Sequence, residues 1–382
     1  MTAVLKLVQA EQFRDEIRIP DEGAVAGRDS HALQGALQYA SPWSPFLARY
    51  VIDRFSNPGD RVLDPMCGVG TVGLEALLLG RHFVGCAQDH TLVSLSLGRI
   101  NPADIAEVAL RLQFVPFKRP VNIACFVEPF THFFHVSTFR ELINAKVSLR
   151  QSSDRVSDFI KFIVASIVHG HTSGHLSVYT SPSEGLNSEA QVRLNSKRGE
   201  TPSYRAVSPR VLRKAAFLLR DGVCSSLSEA SSLSRSVFYS SPNSLDGVQG
   251  ESIDLAVIGF NQPGFFEHGI QSWLRSWWIG VDDRERATRL SNLESWNGYA
   301  NETLVEMARV VKRGGRLVLR VGHGRIGSTR VNYGAEIIKL VKDCLGSFWR
   351  IEGSLEERHV RPKKPIYSDV AHSTELLVLR RC

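Results

Sequence analysis

Apolar positions along this chain follow two rhythms. Four short apolar runs, at residues 61–63, 81–86, 253–258 and 316–321, have the length of strands buried on both faces. Residues 72–80 and 299–311 instead repeat their apolar positions at helical spacing. A further helix is predicted to run up to Phe55, ahead of the turn Asn57-Pro58-Gly59-Asp60. Lys312-Arg313-Gly314-Gly315 reads as the turn that leads into the strand at 316–321, and two last strands are predicted at 348–352 and 374–379. Strands alternating with helices predict an α/β fold, a doubly wound sheet with helices on both faces.

The alternation lapses in the middle, and four regions follow. Residues 1–35 are polar and weakly periodic, a tail or lead-in helix. Residues 36–112 hold the first strands. Residues 113–235 form an insertion rich in Ser, Arg and His, with a serine-rich surface connection at 224–236. Residues 236–382 return to strands and helices. No internal repeat is present.

Composition narrows the class. The chain has 382 residues, 43% of them hydrophobic, enough for one large domain with an insertion or for two domains. No apolar run approaches the roughly 20 residues of a membrane span. Residues 1–11 lack a signal peptide's charged start and apolar centre, so a cytoplasmic protein is expected. Six scattered cysteines form no CxxC and read as reduced thiols. The net charge of +7 is compatible with a nucleic-acid partner without requiring one.

The chemistry concentrates in Asp64-Pro65-Met66-Cys67-Gly68-Val69-Gly70-Thr71, between the strand at 61–63 and the helix at 72–80. Two glycines spaced by one residue let a backbone approach a ligand closely, and the helix start adds free N–H groups and a positive dipole end. This is not the dinucleotide fingerprint, because Gly73 falls one place before the third glycine. The Asp-Pro opening resembles the S-adenosylmethionine loop of the amino-methylating DNA methyltransferases, which act on cytosine N4 or adenine N6. The resemblance implies a Rossmann-like class I methyltransferase sheet with an inserted target-recognition region. It implies S-adenosylmethionine as cofactor and Asp64, Pro65, Cys67, Gly68, Gly70 and Thr71 as its binding residues. Other stretches resemble the family in order. The Pro-rich segment 39–46 stands where relatives close over the cofactor's methionine end, and His169-Gly170-His171-Thr172-Ser173-Gly174-His175 stands where relatives lie beside DNA. Trp273-Leu274-Arg275-Ser276-Trp277-Trp278 matches an aromatic helix of the family, and the last two strands match its closing antiparallel hairpin.

Three positions depart from the family. The acid that binds the ribose falls on Ala87, and Asp89, two places later, is the candidate substitute. The acid near the adenine falls on Ser241, with Asn243 as the polar alternative. The catalytic motif, Asp, Asn or Ser followed by Pro-Pro and an aromatic, falls without a gap on Gly259-Phe260-Asn261-Gln262. A reading shifted by two residues, Asn261-Gln262-Pro263-Gly264, keeps an amide and one proline, with Phe265 or Phe266 as the ring that stacks on a flipped base. Asn261, Pro263 and Phe265 are therefore the candidate catalytic residues.

Further candidates lie outside these motifs. His169, His171 and His175 are of a zinc-ligating type, but no Cys or carboxylate accompanies them, and no metal is expected. Arg193, Lys197, Arg198, Arg205, Arg210, Arg213 and Lys214, with Tyr204 among them, form a dispersed basic set suited to phosphates, as do Arg358, Arg361, Lys363 and Lys364. Trp273, Trp277 and Trp278 read as core. The expected activity is methyl transfer to a DNA base, with double-stranded DNA as partner. The alternatives are an inactive DNA-binding relative, partnering an active methyltransferase or a restriction subunit, and a methyltransferase for RNA or a small molecule.

Overall fold

The computed structural model describes residues 13–19, 31–37, 42–88, 90–122, 126, 128–150, 152, 154–180, 188–220, 234–260, 273–280, 292–326, 329–359 and 374–382. Strands are β1 (Phe13–Ile19), β2 (Arg61–Asp64), β3 (His82–Ala87), β4 (Arg235–Tyr239), β5 (Ile253–Gly259), β6 (Val311–Val321), β7 (His323–Ile326), β8 (Thr329–Asn332), β9 (Trp349–His359) and β10 (Glu375–Arg381). Helices are α1 (Pro45–Phe55), α2 (Thr71–Leu78), α3 (His90–Ile100), α4 (Ile105–Gln113), α5 (Val136–Arg150), α6 (Arg155–Ile167), α7 (Ser188–Arg198), α8 (Val207–Leu218), α9 (Trp273–Ile279), α10 (Leu293–Val310) and α11 (Tyr333–Asp343).

Eight strands form one sheet in the order β4-β3-β2-β5-β6-β10-β9-β1. Its strands run parallel except β10, which is antiparallel to both β6 and β9. The single reversed strand near one end is the expected closing hairpin, and the sheet is a doubly wound, Rossmann-like one. Order reverses between β2 and β5, so the carboxyl ends of β2, β3 and β5 border the crevice where ligands bind in such sheets.

Period-2 alternation assigns side chains to two faces. Val62, Phe83, Leu255, Val257 and Val318 enter one core with α1, α2 and α3, while Leu63, Val84, Ala256, Ile258 and Leu319 enter the other with α10 and α11. The described part of residues 113–235 is helical up to β4 and shares the first core through Phe133, Phe139, Leu142 and Phe159. The close packing of α3 on α6 depends on Gly98, where a Cβ would stand 2.4 Å from the Asp158 carbonyl oxygen.

Two local readings change. The lead-in contributes a strand instead of a helix: β1 pairs in parallel with β9 from Phe13 opposite Gly353. Its alternating charges suit an edge strand, where one face is exposed. Lys312-Arg313-Gly314-Gly315 is a bulge inside β6, because pairing steps from Ile253–Val311 to Leu255–Arg316. Asp254 secures this point by accepting from the Arg61 backbone N–H (2.9 Å) and from Lys312 Nζ (2.6 Å).

Candidate active site

The glycine loop follows β2 directly. Cys67 N–H donates to the Cys86 carbonyl of β3 (2.9 Å), and Gly70 N–H donates to the Cys67 carbonyl (2.8 Å), which folds the turn tightly. Gly68 and Gly70 both take the left-handed region, with φ of 52° and 81°. Their surroundings differ. A Cβ on Gly70 would lie 2.6 Å from Ser96 Oγ of α3, whereas one on Gly68 would meet nothing within 4 Å. Gly70 therefore seats the loop on α3, and Gly68 presents bare backbone to open space. Pro65 and Cys67 are buried beneath the loop, with Cys67 Sγ 3.8 Å from Ser96 Oγ. The Thr71 hydroxyl faces inward and accepts from Arg99 Nη1 (2.9 Å).

Asp64 is the electrostatic centre of this loop. Its carboxylate is 2% exposed and accepts from Met66 N–H (3.0 Å), and no cation pairs with it among the described residues. Burial pushes its pKa up to about 7, against the opposing Met66 hydrogen bond. A buried carboxylate without a counter-cation, beside a bare-backbone cradle, fits a ligand carrying positive charge. S-adenosylmethionine carries a sulfonium and an ammonium, so the residues present fit it.

A polar network below the loop had no sequence motif to announce it. Arg99 is 1% exposed, and besides Thr71 it donates to the Leu37 carbonyl (2.7 Å) and lies 5.3 Å from the Phe162 ring of α6. Gln34 donates to the Thr71 carbonyl (3.0 Å) and to Glu75 Oε1 (2.8 Å), whose other oxygen accepts from Arg49 Nε (2.9 Å). The lead-in, α1, α2 and α3 thus meet on one set of hydrogen bonds, with the Phe162 ring of the insertion against Arg99. Each member is spaced far apart in the chain, which is why single-sequence patterns do not reveal it.

The two altered acid positions lie side by side. Ala87 ends β3 and Ser241 follows β4, joined by a hydrogen bond from Ser240 N–H to the Ala87 carbonyl (3.1 Å). Gln88 Nε2 donates to Ser241 Oγ (3.0 Å), and Asn243 Nδ2 donates to Glu302 Oε2 of α10 (2.8 Å). Ser241 also donates to Asn243. Among the described residues, the acid that reaches this edge is Glu302, from a different element. Asp89 lies outside the described residues.

At the end of β5, Gly259 is pressed against Pro42. A Cβ at Gly259 would stand 2.0 Å from Pro42 Cγ. The Pro42 carbonyl accepts from Arg320, whose Nε and Nη2 also hold the Glu357 carboxylate at 2.7 Å each. Phe260 turns into the second core, with its ring 5.7 Å from Trp296 and 6.4 Å from Tyr299. In the ungapped register, then, the first motif position has no room for a side chain and the second is core. Asn261, Pro263, Phe265 and Phe266 lie outside the described residues.

The aromatic helix α9 binds the insertion. Trp278 is 4% exposed and donates from Nε1 to the Lys161 carbonyl (3.1 Å), and the Trp277 ring lies 4.9 Å from Phe130 and 5.5 Å from Phe139. The Trp273 side chain is outside the described set. Among the described residues no group of acidic, His and Cys side chains could hold a metal. His169 is held down at about 2 by burial, then by Arg275 and His175, and is a neutral packing residue. The basic set divides. Arg205 is spent on the carbonyls of His175 and Ser177, Arg210 on that of Ala206, and Arg198 on Glu200. Lys197 and Arg213 stay exposed, as does Arg193 beside Glu189. Arg361, Lys363 and Lys364 lie outside the described residues, as does the Arg358 side chain.

Comparison with known proteins matches these elements at the cofactor end. Residues 24–97 match the family model described as DNA methylase. The Type II methyltransferase M.HinfI of Haemophilus influenzae is 34% identical over 110 residues, 28% of this chain and 27% of that relative's length. Solved structures similar to this chain include a TehB-like SAM-dependent methyltransferase from Corynebacterium glutamicum, with 10% identity, TM-score 0.34 and coverage of 94% of this chain and 92% of that one. The rRNA methyltransferase aviRa from Streptomyces viridochromogenes is another, with 10% identity, TM-score 0.34 and coverage of 96% and 94%. No helix among the described residues is long and apolar enough to cross a membrane. Residues 24–97, which build α1, β2, the glycine loop, α2 and β3, are thus the part of the chain that is similar to the DNA methylase family.

Proposed function

We propose that this protein transfers a methyl group from S-adenosylmethionine to an exocyclic amino group of a DNA base, cytosine N4 or adenine N6. The observation that carries the proposal is Asp64: a buried carboxylate without a counter-cation among the described residues, inside the segment matched to the DNA methylase family. When bound, S-adenosylmethionine supplies an electrophilic methyl group on a charged sulfur. Asp64 balances that positive charge, and Gly68 allows the loop backbone to approach. Gln88, Ser241 and Asn243 offer neutral polar groups at the adenosine end, with Asp89 as the candidate ribose ligand. Asn261 orients the acceptor amine through a hydrogen bond, Pro263 shapes the loop, and Phe265 or Phe266 stacks on the flipped base. Pro65, Cys67, Gly70 and Thr71 act from beneath, by holding the loop in place.

A second reading has its own observation. Pro42 fills the space a motif side chain would need at Gly259. That geometry suits a non-catalytic DNA-binding relative that serves an active methyltransferase or a restriction subunit. Radiolabelled methyl transfer to duplex DNA, with Asn261→Ala alongside, separates the two. The enzyme reading expects transfer by the wild type and its loss in N261A. Salt-dependent DNA binding by the wild type without transfer to any DNA, RNA or small acceptor overturns the enzyme reading and leaves the second.

A further inference from the structure

Between the carboxyl ends of β3 and β4 and the helical insertion lies a cavity of about 470 Å³. That volume suits a ligand fragment of nucleotide size. One side is the first turns of α3, with His90 and Ser94. The opposite wall carries Lys146, Arg150 and Lys161 from α5 and α6, and Trp278 and Gly280 close it from α9. Tyr239 stands at the mouth, 58% exposed, its ring stacked on His90 at a centroid distance of 4.1 Å and 13° between planes.

Among the described residues, the charges in this cavity do not balance. Lys161 Nζ lies 3.2 Å from Asp158, a carboxylate that also accepts from Ser94 (2.5 Å). Lys146 donates to the Trp277 carbonyl and lies 4.7 Å from that indole ring, neither of which is an anion. No carboxylate or hydrogen-bond acceptor engages Arg150 among the described residues, and a Cβ on Gly280 would stand 2.2 Å from its Nη2. Burial, followed by the Arg150 charge, pulls Lys146 down to about 8. Among the described residues, three cations thus face one carboxylate, and the amino end of α3 adds to the positive field. Uncompensated positive charge in a concave, half-desolvated wall is what an anion neutralises. A ring pair at the mouth is what a base stacks on.

We infer that this cavity holds a phosphodiester of the nucleic-acid substrate, with Arg150 and Lys146 on the phosphate and the Tyr239 ring against the neighbouring base. The inference rests on the methyl-transfer reading for the identity of the substrate. It gives the insertion a stated task. Gln88 lines the cavity and also bonds Ser241 at the proposed adenosine end, so the phosphate would be gripped one residue away from the cofactor's edge.

The test is a salt titration of duplex oligonucleotide binding by the full chain, comparing wild type, Arg150→Ala, Arg150→Lys and Tyr239→Ala. Arg150 and Tyr239 are both exposed, and Arg150→Lys retains the charge should Arg150→Ala disturb α5. R150A is expected to weaken binding about 10-fold near 0.1 M salt and to make the slope of log K against log salt shallower by about 0.9. R150K should recover most of both, Y239A should lose affinity with an unchanged slope, and S-adenosylmethionine affinity should stay constant in all three. An unchanged affinity and slope in R150A overturns the inference, and parallel loss of S-adenosylmethionine affinity reassigns the cavity to the cofactor. So does saturable, Arg150-dependent binding of adenosine monophosphate with DNA affinity intact, which would make it a free-nucleotide site. Methyl transfer by the wild type is scored separately. Arg150-dependent DNA binding without transfer leaves the cavity assignment standing and removes the methylation reading.

Discussion

Replacing Asp64 by Asn keeps the size of the side chain and its acceptor for Met66 N–H but removes the charge. In the ligand-free protein the carboxylate is raised from 3.8 to about 7 by burial. A carboxyl raised in the fold contributes stability that is full below its unfolded value and is lost as pH rises through its folded value. Over that interval, at about 1.36 kcal/mol for each pH unit, the cost of the charge reaches about 4 kcal/mol, an upper limit because local relaxation and water entry reduce it. D64N should therefore match the wild type near pH 4 and exceed its unfolding free energy by up to about 4 kcal/mol near pH 8. Ligand affinity should move the other way. A carboxylate near a cation at an effective dielectric of about 20 gains up to about 4 kcal/mol, so D64N should bind S-adenosylmethionine about 10²–10³-fold more weakly. Urea unfolding at both pH values and isothermal calorimetry measure the two effects in the same samples. A variant that binds the cofactor as tightly as wild type, with no pH-dependent gain in stability, would refute the assignment of Asp64 as the waiting counter-charge.

The two glycines should separate by assay. Gly70→Ala brings a methyl to 2.6 Å from Ser96 Oγ on a left-handed backbone and should cost about 2 kcal/mol or more in thermal unfolding. Gly68→Ala enters open space, so it should cost only about 1 kcal/mol of backbone strain while blocking cofactor binding in calorimetry. Arg99→Met leaves Gln34, Thr71 and the Leu37 carbonyl without their shared donor and should lower unfolding free energy by about 3–5 kcal/mol in urea. Trp278→Ala removes a buried indole and its bond to the Lys161 carbonyl, for a loss of about 3–5 kcal/mol and a shift of α9 visible in hydrogen exchange. His169 is neutral in the fold down to about 2 but takes a proton in the unfolded chain below 6.5, so its contribution falls as pH drops below that value. His169→Gln should therefore flatten the acid limb of the stability profile, and an unchanged limb would contradict its burial.

Local patterns suffice where one segment contains the whole physical cause. The strand, the Asp-Pro-x-Cys-Gly-x-Gly turn and the helix after it are contiguous. Apolar runs, left-handed glycines and helical period therefore locate β2, α2 and the glycine loop directly. The same holds for β5 and for the closing β9–β10 pair. The polar residues 13–19 could not announce an edge strand, because their pairing is supplied by β9 more than 300 positions away. Gln88 and Glu302 beside Ser241 and Asn243, Arg99 under the loop and Pro42 against Gly259 come from separate elements that only folding brings together. Burial decided the rest: residue type identifies Asp64 as an acid, but the surrounding protein removes water from it, sets no cation beside it among the described residues and raises its pKa to about 7. The sequence by itself determined the central strands, the glycine loop and the resemblance of that loop to DNA methylases. The tertiary structure decided which side chains face the ligand and which charges go unanswered, because both depend on the distance between residues that the chain keeps far apart.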